Sequence, residues 1–212
     1  MIEQFATQPL IICVLTNNCN QKCKYCSESA GCGDIHMLPY EMIDNLLKDI
    51  YDVSEDAIVS FIGGEATIWP EFYKLLGGKN FRNIKYKSLY TNATAISERN
   101  LLNIKNAGFF EVRVSVDSDR KEDHDMLRGE GTFERAVSFI KRMIENNIPV
   151  TVGTVLQKSN TARLNYIVDF LKTLDVQMIH FFPLYLKGRG KSQSELELDE
   201  SDKTSISTTA NF

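Results

Sequence analysis

The sequence predicts an α/β fold of parallel strands, a partial (β/α)6 TIM-like barrel with its helices on the outside. Three observations predict it. Six short apolar runs rich in β-branched and aromatic residues alternate with segments of helical periodicity. Repeated βα units pair their strands in parallel and lay the crossover helices over the sheet. The residues that do not belong to a core cluster after several successive strands. Barrel-like α/β folds bind ligands there, whereas a doubly wound sheet binds at one switch point.

"PLIICVLT", bounded by Pro9 and Asn17, reads as a first, fully buried strand. Beyond a cysteine-bearing loop, "LPYEMIDNLLKDIYD" spaces Met42, Ile43, Leu46, Leu47 and Ile50 as one helical face, with Pro39 near its start. "AIVSFI" is the second strand and ends in "GGE"; Pro70 opens the helix "PEFYKLL". "IKYKSLY" is the third strand and ends in "TNA". Ser97 begins the helix "SERNLLNIKNAG" as in a capping box, and Gly108 stops it. The strand "FFEVRVSV" ends in "DSD", and a long loop leads to "TFERAVSFIKRMIENN", a helix capped by Thr132. Strand "PVTVGTVL", helix "TARLNYIVDFLKTL" and strand "QMIHFFPLY" complete the series. From Gly188 the chain turns polar and Ser/Thr-rich. The expected organisation is therefore a core domain over 1–187 and a polar, flexible tail over 188–212.

Composition narrows the function classes. With 212 residues, 43% apolar and 25% charged, the chain can bury one good core. A net charge of -4 argues against nucleic acid as a partner. No apolar run approaches the ~20 residues of a membrane span, and the start lacks the marks of a signal peptide. A cytoplasmic setting is expected, where clustered cysteines bind metal or do redox chemistry more often than they form disulfides.

Three of the five cysteines, Cys19, Cys23 and Cys26, stand in "CNQKCKYC" with gaps of three and two residues. Three thiolates leave two readings. A structural zinc site needs a fourth ligand, which Cys32 or a distant histidine would supply, making the chain a zinc-stabilised binding module. An iron–sulfur cube held by three cysteines keeps one iron free for a small molecule. The loop follows a parallel strand and lacks the paired knuckles of zinc ribbons, which favours the cube. Cys13 is mid-strand among apolar residues and reads as core; Cys32 reads as a surface thiol. His124 and His180 read as locally hydrogen-bonded.

"CNQKCKYC" after the first strand, "FIGGE" after the second, and "RVSVDS" followed by "HDMLRGEGTFERAV" together resemble the radical S-adenosylmethionine superfamily. Over roughly residues 8–190 they are similar to the core of SPASM-type peptide and protein maturases, sulfatase-maturing enzymes among them. The resemblance implies that Cys19, Cys23 and Cys26 hold a [4Fe–4S] cluster whose open iron chelates S-adenosylmethionine. An external one-electron reductant would feed the cluster. Reductive cleavage then yields a 5′-deoxyadenosyl radical that abstracts hydrogen from a peptide or protein substrate. The alternatives within the superfamily are a small-molecule or cofactor-biosynthesis enzyme and a glycyl-radical activase.

Residue by residue, the resemblance places Tyr25 beside the metal and Gly63 and Gly64 against the methionine moiety, with Glu65 facing its ammonium group. Ser115 and Asp117 alternate along the fourth strand and suit the ribose hydroxyls. The fork of Arg128 suits the methionine carboxylate. Asn92 in "TNA" borders the same cavity, although Ala93 stands where glycine is usual. Thr154 and Phe182 are expected around the adenine. No acid–base pair is expected. No cysteine follows Cys32, so the chain offers no thiols for further clusters, and the polar tail falls where SPASM-type members begin a cysteine-rich extension.

Overall fold

A computed structural model describes residues 8–202. Six strands form one sheet in the order β1-β2-β3-β4-β5-β6. They are β1 (Leu10–Val14), β2 (Ile58–Ile62), β3 (Tyr86–Thr91), β4 (Glu111–Ser115), β5 (Val150–Leu156) and β6 (Met178–Pro183). All pairings are parallel, and neighbours in space are neighbours in sequence. Each crossover therefore advances the chain by one strand, leaving β1 and β6 as the edges of an open barrel wall.

The helices are α1 (Tyr40–Val53), α2 (Phe72–Leu76), α3 (Lys79–Asn83), α4 (Glu98–Ala107), α5 (Lys121–Arg128), α6 (Thr132–Glu145), α7 (Lys158–Thr161) and α8 (Leu164–Thr173). The main core lies between them and the outer face of the sheet. Cys13, Leu15, Phe61, Leu89, Val112, Val114 and Val152 meet Ile43, Leu47, Phe72, Ile104 and Ile140 there. Cys13 is thus the small core residue expected of it.

The opposite strand face looks into the lumen, where β1 presents Leu10, Ile12 and Val14 and the strands from β2 to β5 carry polar side chains. The hydroxyls of Ser60 and Ser88, level with each other across β2 and β3, are 2.7 Å apart. Arg113 donates to Glu111 Oε1 through Nε (2.9 Å) and Nη2 (2.7 Å), and Thr151 Oγ1 donates to the same oxygen at 2.6 Å. The Arg113 guanidinium lies over Tyr90, 4.2 Å from the ring centroid, and beside Phe182 at 5.3 Å.

Several expectations are corrected. The first strand is not fully buried: Leu10, Ile12 and Val14 are 59%, 55% and 51% exposed, while Ile11 and Cys13 face inward. Leu10, Ile12 and Val14 share the lumen face with Ser60, the register partner of Ile12, and at the sheet's edge no further strand lies beside them. The long loop after β4 contains α5. Thr132 is the first residue of α6 rather than its cap. The orphan amides of Gly131 and Phe133 are bound by Asp125 of α5, both at 2.8 Å. Residues 188–196 are not a free tail: they form two 3-10 turns (Gly188–Ser192 and Ser194–Leu196), with Leu196 buried against Tyr25 and Leu127. Only three large apolar residues occur between 188 and 212 (Leu196, Leu198, Ile206) before the final Phe212, which hid this anchoring. Residues 203–212 of that expected tail lie outside the described residues.

Candidate metal and cofactor site

The loop from β1 to α1 carries the three clustered cysteines above the carboxyl ends of the strands. It is held by backbone pairing on both sides. Gly64 N donates to Thr16 O and Glu65 N to Asn18 O, both at 2.8 Å, continuing the β1–β2 ladder into the loop. Gly31 N donates to Asn17 O at 2.9 Å and Leu38 N to Leu15 O at 3.0 Å, closing the loop on itself. Gly64 must lack a side chain here, since a Cβ would stand 2.2 Å from Asn18 O. The glycines after β2 thus serve the close approach of the cysteine loop.

The sulfurs receive amide donors from the same loop. Gln21 N lies 3.3 Å from Cys19 Sγ and Ala30 N 3.4 Å from Cys26 Sγ. The side chain of Asn92 donates to Cys19 Sγ at 3.8 Å and to Asn20 Oδ1 at 2.9 Å, so the end of the third strand reaches the cysteine loop. Cys23 Sγ contacts Gln21 Oε1 at 3.5 Å. All three cysteines are partly exposed and free. Burial pushes the Cys19 thiol up to about 11, with Glu65, Cys23 and Cys26 adding to the rise; burial also raises Cys23. Thiols that discourage each other's ionisation are what a cationic centre would relieve. Among the described residues, no three His, Cys, Asp or Glu side chains are gathered as a single metal ion requires.

Five of the residues expected around S-adenosylmethionine have hydrogen-bond partners within the protein. Glu65 is 1% exposed and accepts four hydrogen bonds, from Thr67 N (3.1 Å), Thr67 Oγ1 (2.6 Å), Thr91 Oγ1 (2.7 Å) and Asn92 N (2.7 Å). It ties the end of β3 to the turn after β2 instead of facing the cavity. Burial raises its pKa, and those four donors limit the rise. Asp117 is fully buried. Its Oδ2 accepts from the Tyr25 hydroxyl and from Arg128 Nε (2.5 Å), and its Oδ1 from Val155 N (3.0 Å). Tyr25 and Arg128 are therefore committed to Asp117, with the guanidinium 5.5 Å from the Tyr25 ring centroid. Burial opposes the charge on Asp117, but Arg128 outweighs it and keeps the carboxyl below its usual range; Tyr25 is driven well above its own, chiefly by burial. Thr154 faces the helices, its hydroxyl bonded to Val116 O at 2.6 Å.

The other expected contacts stay on the lumen side. Ser115 and Gly153 are level with each other across β4 and β5, and His180 is level with Gly153 on β6. Phe182 is two residues farther along β6, its ring stacked 6.2 Å from that of His180. Gly63 lies in the turn after β2 against the cysteine loop, where a Cβ would meet Thr16 O at 2.6 Å. The sequence missed Arg189. Its Nε donates to Cys23 O at 2.8 Å and its Nη1 to Ala30 O at 2.8 Å, gripping the cysteine loop from the far end of the chain. No local pattern signals a contact across 166 residues.

The profile of the Radical SAM superfamily matches residues 13–171, from mid-β1 to the end of α8, and so takes in all three cysteines. The chain belongs to the Radical SAM superfamily. Enzymes of this superfamily use a [4Fe–4S] cluster and S-adenosylmethionine. Among curated proteins, the chain is 29% identical over 173 residues to the mycofactocin maturase MftC of Mycobacterium tuberculosis, covering 78% of this chain and 43% of the relative. It is 30% identical over 203 residues to the Fe-coproporphyrin III synthase of Methanosarcina barkeri, covering 92% and 49%. The chain thus spans about half the length of these radical SAM relatives. Among solved structures, anSMEcpe with bound AdoMet and a Cp18Cys peptide superposes with a TM-score of 0.75 at 22% identity, over 94% of this chain and 57% of that one. The partial TIM-barrel architecture is shared with these radical SAM structures. No helix of the described residues is long and apolar enough to cross a membrane.

Proposed function

We propose that this chain is the radical SAM core of an enzyme that abstracts hydrogen from a peptide or protein. The observation that carries the reading is the braced loop bearing Cys19, Cys23 and Cys26 at the mouth of a polar lumen. Each thiolate would ligate one iron of a [4Fe–4S] cluster, which supplies, with S-adenosylmethionine on its fourth iron, the electron that generates a 5′-deoxyadenosyl radical. The protein's part is placement and shielding. The amides of Gln21 and Ala30 and the Asn92 side chain direct partial positive charge at the sulfurs, offsetting thiolate charge. Ser115 offers its hydroxyl to the ribose, and Phe182 offers a ring to the adenine. Arg128, committed to Asp117, holds α5 against Tyr25 and so fixes the loop between Cys23 and Cys26.

The maturase relative, and the peptide in the solved anSMEcpe structure, support a peptide substrate. So does the exposed row Leu10, Ile12 and Val14 along the open edge, which leaves an apolar entry for an extended chain. The Methanosarcina relative's name favours a second reading, a small-molecule substrate. Incubating reconstituted, dithionite-reduced protein with S-adenosylmethionine and deuterated candidate peptides separates the two. Deuterium appearing in 5′-deoxyadenosine together with a mass change in one peptide is the expected result. Transfer from a porphyrin, and from no peptide, contradicts the peptide assignment.

A further inference from the structure

We infer that Arg189, outside the cysteine loop and past the last strand, is a positioning residue for the cluster that also places a permanent positive charge beside it. The inference rests on the cluster reading above. Residues 188–190 lie against the loop by backbone as well as side chain. Arg189 N donates to Cys26 O at 3.0 Å, its Nε to Cys23 O at 2.8 Å, and its Nη1 to Ala30 O at 2.8 Å. Nη1 also reaches Cys32 Sγ at 3.3 Å. One guanidinium therefore bridges both arms of the loop, and its peptide holds the carbonyl of a second ligand residue. Gly188 permits this fit. Its φ is +54, and a Cβ there would stand 2.4 Å from Ser27 O and 2.6 Å from Cys26 O. Leu196, buried against Tyr25 and Leu127, fixes the segment's other end.

This arrangement exceeds what holding down a tail requires. The carbonyls gripped are those of Cys23 and Cys26, so the strap sets the spacing of two proposed ligands. A planar fork does this and a lysine ammonium cannot, because the two acceptors need separate N–H groups at fixed angles. The fork's charge faces Cys23, where a positive neighbour stabilises the more negative, reduced form of a cluster.

The test compares anaerobically reconstituted wild type, Arg189→Gln and Arg189→Lys for midpoint potential and for iron release to a ferrous chelator. Both variants are expected to release iron faster, on the order of ten-fold. Arg189→Gln is expected to have a more negative potential, and Arg189→Lys to recover most of that shift, since it restores charge without the fork. Faster release at unshifted potential overturns the electrostatic role, and wild-type values in both variants overturn the whole inference. Should Arg189→Gln not fold, Arg189→Met takes its place as the uncharged variant, with the same more negative potential expected and an unshifted one overturning the electrostatic role, while the lysine variant decides the fork's part through iron release. Wild-type protein that takes up no iron fails the cluster reading itself, a separate result.

Discussion

At the scale of single residues, the site is organised by buried acids that spend their hydrogen-bonding capacity on protein. Asp117 receives Tyr25, Arg128 and the amide of Val155, and its own amide donates to His124 Nδ1 at 3.2 Å. That last contact makes a prediction. Burial, reinforced by the charge of Arg128 and against the pull of Asp117 and Asp125, lowers the pKa of His124 from 6.5 to about 4. Between those values the unfolded chain binds a proton that the folded chain refuses, so stability falls as pH drops through this window. The loss approaches about 3 kcal/mol near pH 4 and vanishes above the unfolded pKa. Urea midpoints at pH 7.5 and pH 5 should diverge in wild type and diverge less in His124→Asn, which accepts the same bond without titrating. An equal loss in both proteins contradicts the assignment. Ala93 is a second lesson at this scale. Its φ of +61 is the left-handed conformation that glycine adopts freely, which gives a physical reason for the glycine usual at this place.

At the scale of elements, the segment after β2 connects sheet and site. Gly64 and Glu65 donate to carbonyls of the cysteine loop, and Glu65 gathers Thr67, Thr91 and Asn92 beneath it. Gly64→Ala would place a methyl against the carbonyl of Asn18, at 2.2 Å from oxygen and 2.7 Å from carbon, both backbone atoms that cannot swing aside. The loop must move, at a cost of roughly 1–3 kcal/mol by the usual penalty of overpacking. Reconstituted Gly64→Ala should melt earlier and hold less iron than wild type. Gly77→Ala is the control, since its nearest contact is Lys74 O at 3.4 Å and its φ is ordinary. Full iron content and an unchanged melting temperature in Gly64→Ala contradict the brace. All six strands and five of the helices were legible from periodicity, because apolar spacing reports which face is buried. The short helices α3, α5 and α7 were not, as one or two turns carry too little period to read. The capping of α6 by Asp125 escaped for a related reason: its acceptor comes from the preceding helix and not from the position before the first turn.

At the scale of the molecule, an open parallel sheet brings the carboxyl ends of β1, β2, β3 and β4 to one side, with Arg189 holding the cysteine loop from beyond β6. The cysteine spacing, and the strand ends that carry the neighbouring motifs, were legible because short-range order in sequence becomes short-range order in space at each strand end. What each neighbour does was less so. Glu65, Asp117 and Arg128 carry the charges a cofactor would want, but which partner claims a charge depends on strand register, and the partners lie up to 92 residues away. The strap at 188–196 was hidden by its polar composition. The central claim is that Cys19, Cys23 and Cys26 together hold the redox centre. The most direct test is the yield of 5′-deoxyadenosine from S-adenosylmethionine by anaerobically reconstituted, dithionite-reduced protein, measured with the iron content of wild type and of each single Cys→Ala variant. Wild type should carry close to four irons per chain and form 5′-deoxyadenosine, and each variant should lose both. Undiminished 5′-deoxyadenosine from any one of the three variants, or a single bound zinc in wild type, would contradict it.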